Sequence, residues 1–382
     1  MGVPDSRPIL PLQPAAPLNV AQKQRSAVWM IIRCIPLYLR TTVRLHQYLY
    51  VSRMPAFIPF PPIQQFRNVL KELPYVFGSA IPQTLKFRGT VKLHGTHSDI
   101  VRHFIIGTPD FVDTIQSRNR ILSVDNDNQG CHMFLTAKKY SDLFDRIQAI
   151  HRADIRSNIV VCGEYCGKGV QNKVALCKLA NMFVIFAIRI DYEWVDMTKY
   201  STVFCQEEWI FNIMNFPTYE VEVDMSDTQP AQDYMADLTN SVDAECPFAY
   251  QMAGVKGGGE GIVWTCVDHP SSRLWFKTKG KTHCTAVTKQ AVPSQTEYIK
   301  TVTEFVESVT TESRLSQGLE CLVEQGVELR IQSVSEFSSW VCRDVFKEER
   351  DTIEENGFNV NDVRKALYRK AGNWYKQRVA TA

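Results

Sequence analysis

A lysine followed two residues later by histidine and glycine, in Lys92-Leu93-His94-Gly95, opens a series of short motifs. Downstream come Gly163-Glu164-Tyr165, then Phe183-Val184-Ile185-Phe186, then Glu260-Gly261-Ile262-Val263, then Phe276-Lys277-Thr278-Lys279-Gly280. A lysine amine attacks phosphorus only after losing its proton, and an ordinary pKa of about 10.4 keeps that form rare at neutral pH. Nearby cations lower the value and expose the lone pair. Lys277 and Lys279 are the expected cations. In extended chain alternate side chains share a face. Lys92 and His94 therefore point together, with Val91 and Leu93 toward the core. Lys277 and Lys279 share a face with Trp275, Glu260 with Ile262, and Glu164 with Cys162 and Cys166. A carboxylate at Glu260 suits magnesium, which prefers carboxylates, water and phosphates. Glu164 suits ribose hydroxyls, and the Phe186 ring offers a face to a purine. The chemistry such a set could perform is transfer of a nucleotide to a lysine. Taken singly, each residue has a plain structural role: an edge lysine, a core phenylalanine, a flexible Gly257-Gly258-Gly259 loop.

These residues need strands to hold them. Residues 58–290 are rich in short β-type runs, such as Ile159-Val160-Val161-Cys162 and Met182 to Phe186. Tyr140 to Ile150 reads as a helix. Glu220 to Asp237 is polar and carries Pro230, and reads as a loop or short helix between strands. Residues 295–382 change to helical period. Ser335 to Glu355 places Phe337, Trp340, Val341, Val345 and Phe346 on one stripe. Asn361 is the expected cap of a last helix with Val363, Leu367 and Trp374 inside. Its other faces carry Arg364, Lys365, Arg369, Lys370, Lys376 and Arg378, a solvated face or a phosphate-contacting one. All five motif pieces end by Gly280, so the nucleotide site is expected to be complete without this tail.

Residues 1–57 differ. Pro4, Pro8, Pro11, Pro14 and Pro17 rule out regular structure at the start, and no acidic residue lies between Asp5 and Glu72. Arg25, Arg33, Arg40, Arg44 and Arg53 punctuate an apolar stretch. This is the character of a mitochondrial presequence, or of a disordered leader before a start at Met54. Localisation is accordingly cytoplasmic or nuclear, or mitochondrial if the leader is a presequence. Trp29-Met30-Ile31-Ile32 is too short to cross a membrane, for Arg33 and Pro36 interrupt it well before about 20 apolar residues.

A length of 382 residues accommodates two domains. A net charge of +2 excludes a whole-molecule basic field, so nucleic-acid contact must be local. The 11 cysteines form no C-x-x-C pair, so neither a zinc site nor a disulfide framework is signalled. Cys162 and Cys166 read as buried free thiols. Gly280-Lys281-Thr282 imitates the end of a P-loop, but the required first glycine would fall at Trp275, which excludes that motif.

In order and type the pieces resemble the covalent nucleotidyltransferase superfamily of ATP-dependent ligases and mRNA capping enzymes. Lys-x-His-Gly in place of Lys-x-Asp-Gly is similar to RNA ligases of the kind found in phage T4, specific for double strands, and in trypanosome RNA editing. The resemblance covers residues 85–285. It implies an α+β fold: an adenylation domain of two antiparallel sheets around an ATP cleft, with a C-terminal helical domain. It makes Lys92 the adenylated nucleophile, with Val91, His94 and Gly95 beside the nucleotide. Arg118 matches an arginine that contacts ribose and the RNA end, Glu164 a ribose-binding glutamate, and Phe186 the adenine-stacking aromatic. Glu260 matches a metal-associated glutamate, and Lys277 with Lys279 a phosphate-binding pair. ATP, Mg2+ and RNA carrying 5′-phosphate and 3′-hydroxyl ends are the implied ligands, with no membrane and no stated oligomer. His97 stands where the family has Asn, and Ala187 where it has Asp. Two alternatives remain open: a guanylyltransferase that caps mRNA, and an RNA-end-binding module without catalysis.

Overall fold

Alternation along Thr84-Leu85-Lys86-Phe87-Arg88-Gly89-Thr90-Val91-Lys92 makes a strand with one apolar face. In the computed structural model it is β1 (Thr84–Lys92), preceded by α1 (Phe66–Phe77). The structure describes residues 55–105, 110–151, 158–171, 174–280, 283 and 301–380. The presequence and Met54 readings lie outside these residues. Phe57–Ala382 form one compact unit.

After β1 come β2 (Thr96–Phe104), β3 (Phe111–Ser117), α2 (Cys131–Thr136), α3 (Ser141–His151), β4 (Ile159–Cys166), β5 (Met182–Ile190) and β6 (Glu193–Trp194). Then follow β7 (Ile210–Asn212), β8 (Thr218–Asp224), α4 (Gln229–Ala244), α5 (Pro247–Ala253), β9 (Gly261–Cys266) and β10 (Phe276–Lys279). The helical part is α6 (Val302–Val309), α7 (Glu312–Glu324), α8 (Val334–Glu348), α9 (Arg350–Glu355) and α10 (Val360–Ala380).

The strands form a four-stranded sheet in the order β10-β9-β1-β8 and a six-stranded sheet in the order β3-β2-β4-β5-β6, with β7 beside β5. The fold is α+β with two largely antiparallel sheets, as expected. The exception is the parallel pairing of β5 with β7. Leu85, Phe87 and Val91 of β1 pack with Ile262 and Trp264 of β9 and Phe276 of β10 in one core. Trp264 is fully buried, and its indole N–H donates to Thr278 Oγ1 at 3.0 Å. Gly89 lies beneath that ring, where a Cβ would come within 2.7 Å of it. A second core lies against α2 and α3, through Leu135, Leu143, Phe144 and Ile147. The helices from α6 onward have an apolar cluster of their own, centred on Phe337, Leu367 and Tyr375.

Several expectations need correction. Glu220 to Asp237 is not a loop: its first part is β8, paired along β1, and its second opens the 16-residue α4. Pro230 sits in the first turn of α4, where its fixed φ suits a helix start and no N–H is needed. Ser335 to Glu355 is two helices, α8 and α9, separated at Glu349 with φ −117° and ψ 16°. The last helix begins at Val360, and the Asn359 side chain, rather than Asn361, accepts from the N–H groups of Asn361 and Asp362. The Gly257–Gly259 segment is tightly packed: a Cβ on Gly258 would meet the Asp243 carbonyl at 2.5 Å.

Candidate active site

The register of the smaller sheet builds the site. Lys92 of β1 and Lys279 of β10 both pair with Gly261 of β9, one from each side. The two lysines thus occupy one row across three strands, on the face opposite Val91, Ile262 and Trp264. Gly261 puts no side chain between them. Its φ is +150°, and a Cβ there would lie 2.1 Å from the Thr278 carbonyl.

Glu260 precedes β9 and bridges the row. Its Oε2 lies 2.6 Å from Lys92 Nζ, and its Oε1 lies 3.0 Å from Lys279 Nζ. His94 Nδ1 approaches the same Oε2 at 3.2 Å. Burial penalises the charge of Glu260, but Lys92, Lys279 and His94 outweigh it and hold the carboxyl well below its usual range. Burial works against the charge of Lys92 also, and Glu260 with Glu164 overcome it, so that Lys92 is held above the usual lysine range. This reverses the expectation that Lys277 and Lys279 lower Lys92: the carboxylates are its dominant neighbours. It is Lys279 that is pushed down, by burial and by Lys92 and Lys277 beside it. The His283 imidazole, 5.3 Å from that of His94, is lowered to about 4 by burial.

The larger sheet supplies the other wall. Glu164 of β4 pairs with His97 of β2, and its Oε1 accepts the Gly95 N–H at 2.9 Å. Gly95 is required here: a Cβ would stand 2.3 Å from the Tyr165 carbonyl. A bulge in β5 opposite Cys162 and Gly163 leaves Phe186 as the extra residue. Both Phe186 and Ala187 consequently reach the apolar cluster of Phe60, Val101, Val160, Cys162 and Trp275. The Phe186 ring meets Phe60 edge-on at 5.6 Å and His97 at 5.6 Å. His97 lies 2.9 Å from Asp99. Arg118, just past β3, donates to the Pro61 carbonyl at 2.9 Å, with its guanidinium 4.9 Å from the Phe60 ring centre.

The structure brings Lys92, His94, Gly95, Glu164, Glu260 and Lys279 into one connected set. Lys277 lies on the same sheet face as Lys279 but has another partner, Glu348 at the end of α8, at 3.0 Å. The Val91 side chain is 2% exposed and belongs to the core, on the sheet face opposite Lys92, as alternation along the strand predicts. Cys162 and Cys166 are buried free thiols, as expected. Among the described residues no three metal-donor side chains cluster. Glu260, the expected metal carboxylate, has Lys92 and His94 on one oxygen and Lys279 on the other.

Sequence reasoning missed Phe60, Arg67 and the acidic residues of α7 and α8. The tail is not separate from the cleft. Glu324 of α7 accepts from Thr96 Oγ1 at 2.9 Å, directly after the Gly95 turn. Arg67 of α1 reaches Glu349 Oε2 at 3.0 Å and donates to the Glu348 carbonyl. The i, i+4 spacing of Glu320 with Glu324, and of Asp344 with Glu348, was a visible sign of two acidic helix faces.

The sequence profile of the family described as RNA ligase matches residues 85–279, just over half of the chain. No curated protein sequence matches it. Naegleria gruberi RNA ligase solved with pyrophosphate is 18% identical, with a TM-score of 0.39, over 60% of this chain and 58% of that one. A mutant of that ligase with ATP and manganese is 15% identical, with a TM-score of 0.40, over 60% of this chain and 57% of the other. A further mutant, with AMP and manganese, is 17% identical at a TM-score of 0.39 over 60% and 58%. The chain thus spans less than two thirds of the length of these solved proteins. With the profile running from the start of β1 to Lys279, the chain belongs to the RNA ligase family.

Proposed function

We propose that this protein is an ATP-dependent RNA ligase that joins a 3′-hydroxyl to a 5′-phosphate through a lysyl-AMP intermediate on Lys92. The observation that carries the reading is the row of Lys92 and Lys279 around Gly261, with Glu260 between them. A half-buried lysine with a second lysine beside it and a carboxylate between them suits attack on a phosphate once the hold of the carboxylate is relieved.

In the first step the deprotonated Lys92 amine attacks the α-phosphorus of ATP. The N–P bond forms, the bond to pyrophosphate breaks, and the amine proton is released. Glu260 draws Lys92 toward the protonated form, so its hold on Lys92 must loosen as ATP enters. Lys279, and Lys277 once freed from Glu348, would neutralise the phosphate oxygens as charge builds on them. Glu164 holds the turn at Gly95, which keeps Lys92 and His94 in place. Magnesium bound with the phosphates would add positive charge there. In the second step AMP passes from Lys92 to the RNA 5′-phosphate. In the third the 3′-hydroxyl attacks that phosphate and AMP leaves.

For the RNA, the helical part offers a pocket between α8 and α10, lined by Ser339, Cys342, Arg343, Phe346, Arg364 and Tyr368. The Arg364 guanidinium sits 5.7 Å from the centre of the Phe346 ring. Cations with aromatic rings suit a phosphate backbone and its bases.

The test is incubation with α-labelled ATP or GTP, followed by a joining assay on 5′-phosphorylated RNA. Label from ATP and joined RNA are expected. Label from GTP alone would support a capping enzyme, and RNA binding without label a non-catalytic end-binding module.

A further inference from the structure

The phosphate-binding face of the smaller sheet meets carboxylates from the C-terminal helices. Lys277 is ion-paired to Glu348. The second oxygen of Glu348 pairs at 2.9 Å with Arg314 of α7, which is fully buried. Arg314 also lies 3.0 Å from Asp344 and 3.6 Å from Glu349. Glu349 is tied to Arg67 of α1. At the far end of α7, Glu324 is hydrogen-bonded to Thr96 beside the lysine turn. Lys277 therefore already has an anion, fixed in place by a buried arginine that anchors its far side.

We propose that α7 and α8 close the nucleotide cleft by seating Glu348, braced by Arg314, on the cation that receives the ATP phosphates, so that ATP must displace Glu348 before Lys92 reacts. This rests on the reading of Lys277 and Lys279 as phosphate ligands. A carboxylate and a phosphate oxygen compete for the same ammonium, and a triphosphate with its greater charge wins when present. Glu324 on Thr96 and Glu349 on Arg67 hold the helices in the closed position. The carboxylates differ in how firmly they hold their charge. Burial penalises the charge of Glu348, yet Lys277 and Arg314 hold it at about 2. Burial and the charge of Glu348 push Asp344 up, and burial pushes Glu320 and Glu324 up. The helices thus carry one firmly charged glutamate to Lys277, among acids whose charge is disfavoured. A merely buttressing interface has no need to place a charge on a catalytic lysine.

The experiment measures binding of ATP, and separately of inorganic tripolyphosphate, to the full chain and to Glu348→Gln. The amide keeps the size of the glutamate and removes its charge. Kd for both ligands should fall about tenfold in the variant, a typical size for coupling between two contacts. An unchanged or weaker affinity in a folded Glu348→Gln protein overturns the proposal. Should that variant not fold, Arg67→Gln loosens the helices by weakening the hold on Glu349 and on the Glu348 carbonyl, while the Glu348 carboxylate itself is kept. It should also tighten ATP binding, and no change there overturns the proposal equally. Failure of the ligase reading looks different: the wild-type protein would then form no adenylate, whatever its affinity for tripolyphosphate.

Discussion

The strand region and the helical region meet with opposite charges. From the strands and α1 come Lys92, Lys277, Lys279 and Arg67; from α7 to the start of α9 come Glu320, Glu324, Asp344, Glu348 and Glu349. Each region also has its own apolar core. The strands hold cations in a row fixed by hydrogen-bond register, which suits an anionic substrate. The helices supply anions that face this row, with Glu348 seated on Lys277. The difference teaches that strand register sets the spacing of the cations, while the charges that face them come from a region with its own core.

The contrast breaks most sharply at the lysine row. Lys279→Ala and Lys277→Ala are each expected to slow adenylation by on the order of 100-fold, as for loss of a charge-stabilising group. Lys279 should matter more, because it alone of the pair touches Glu260. Single-turnover adenylation at saturating ATP measures both, and near-normal rates would remove the row from the mechanism.

The two cores give the next test. Phe337 is fully buried and contacts Trp374 at 5.6 Å and Tyr375 at 4.8 Å between ring centres. Phe337→Ala should destabilise the helical region by about 3–5 kcal/mol. Trp264→Ala should cost a similar amount in the strand region. The expected outcomes differ in function: Phe337→Ala keeps adenylation while RNA sealing fails, and Trp264→Ala loses both. Chemical denaturation with the two steps assayed separately, sealing from pre-adenylated RNA, checks this. Equal loss of adenylation in both variants would mean that the regions act as one.

Legibility followed the range of the interaction. Lys92, His94 and the inward Val91 and Leu93 could be placed because alternation in a strand is local. The pairing of Lys92 with Lys279 through Gly261 was beyond reach, since register between distant strands leaves no mark in either one. Glu220 to Asp237 left loop and short helix open, because Pro230 marks the first turn of a long helix only once the start of that helix is known. Helices α6 and α7 were not singled out within the tail of helical period, although Thr301 with Glu304 is a cap signature that the structure uses. Glu348 was invisible as a site residue. Its helix showed an apolar stripe, but nothing local says that the opposite face meets Lys277.

Acid provides a smaller effect. Glu348 is held at about 2, below the ordinary glutamate value of 4.5. Its ion pairs therefore stabilise fully above pH 4.5, and that contribution is lost as pH falls toward about 2. Melting temperatures at pH 5 and at pH 2.5 should fall further for wild type than for Glu348→Gln. Equal falls would show that the Lys277–Glu348 pair adds nothing to closure.

The smallest expected change is on the outer helical face. Arg343→Ala and Arg364→Ala should leave adenylation intact and weaken RNA binding. Each should reduce the slope of log affinity against log salt by about 1, if each meets one phosphate. Unaltered slopes in titrations at several salt concentrations would place the RNA elsewhere.

The measurement that bears most directly on the account is the site of covalent labelling. Wild-type protein is incubated with α-labelled ATP and magnesium, denatured, digested and mapped. One acid-labile label is expected, on the peptide containing Lys92, and none in Lys92→Ala. Label on another lysine, or undiminished label in Lys92→Ala, would contradict the assignment of the nucleophile and of the row built around it.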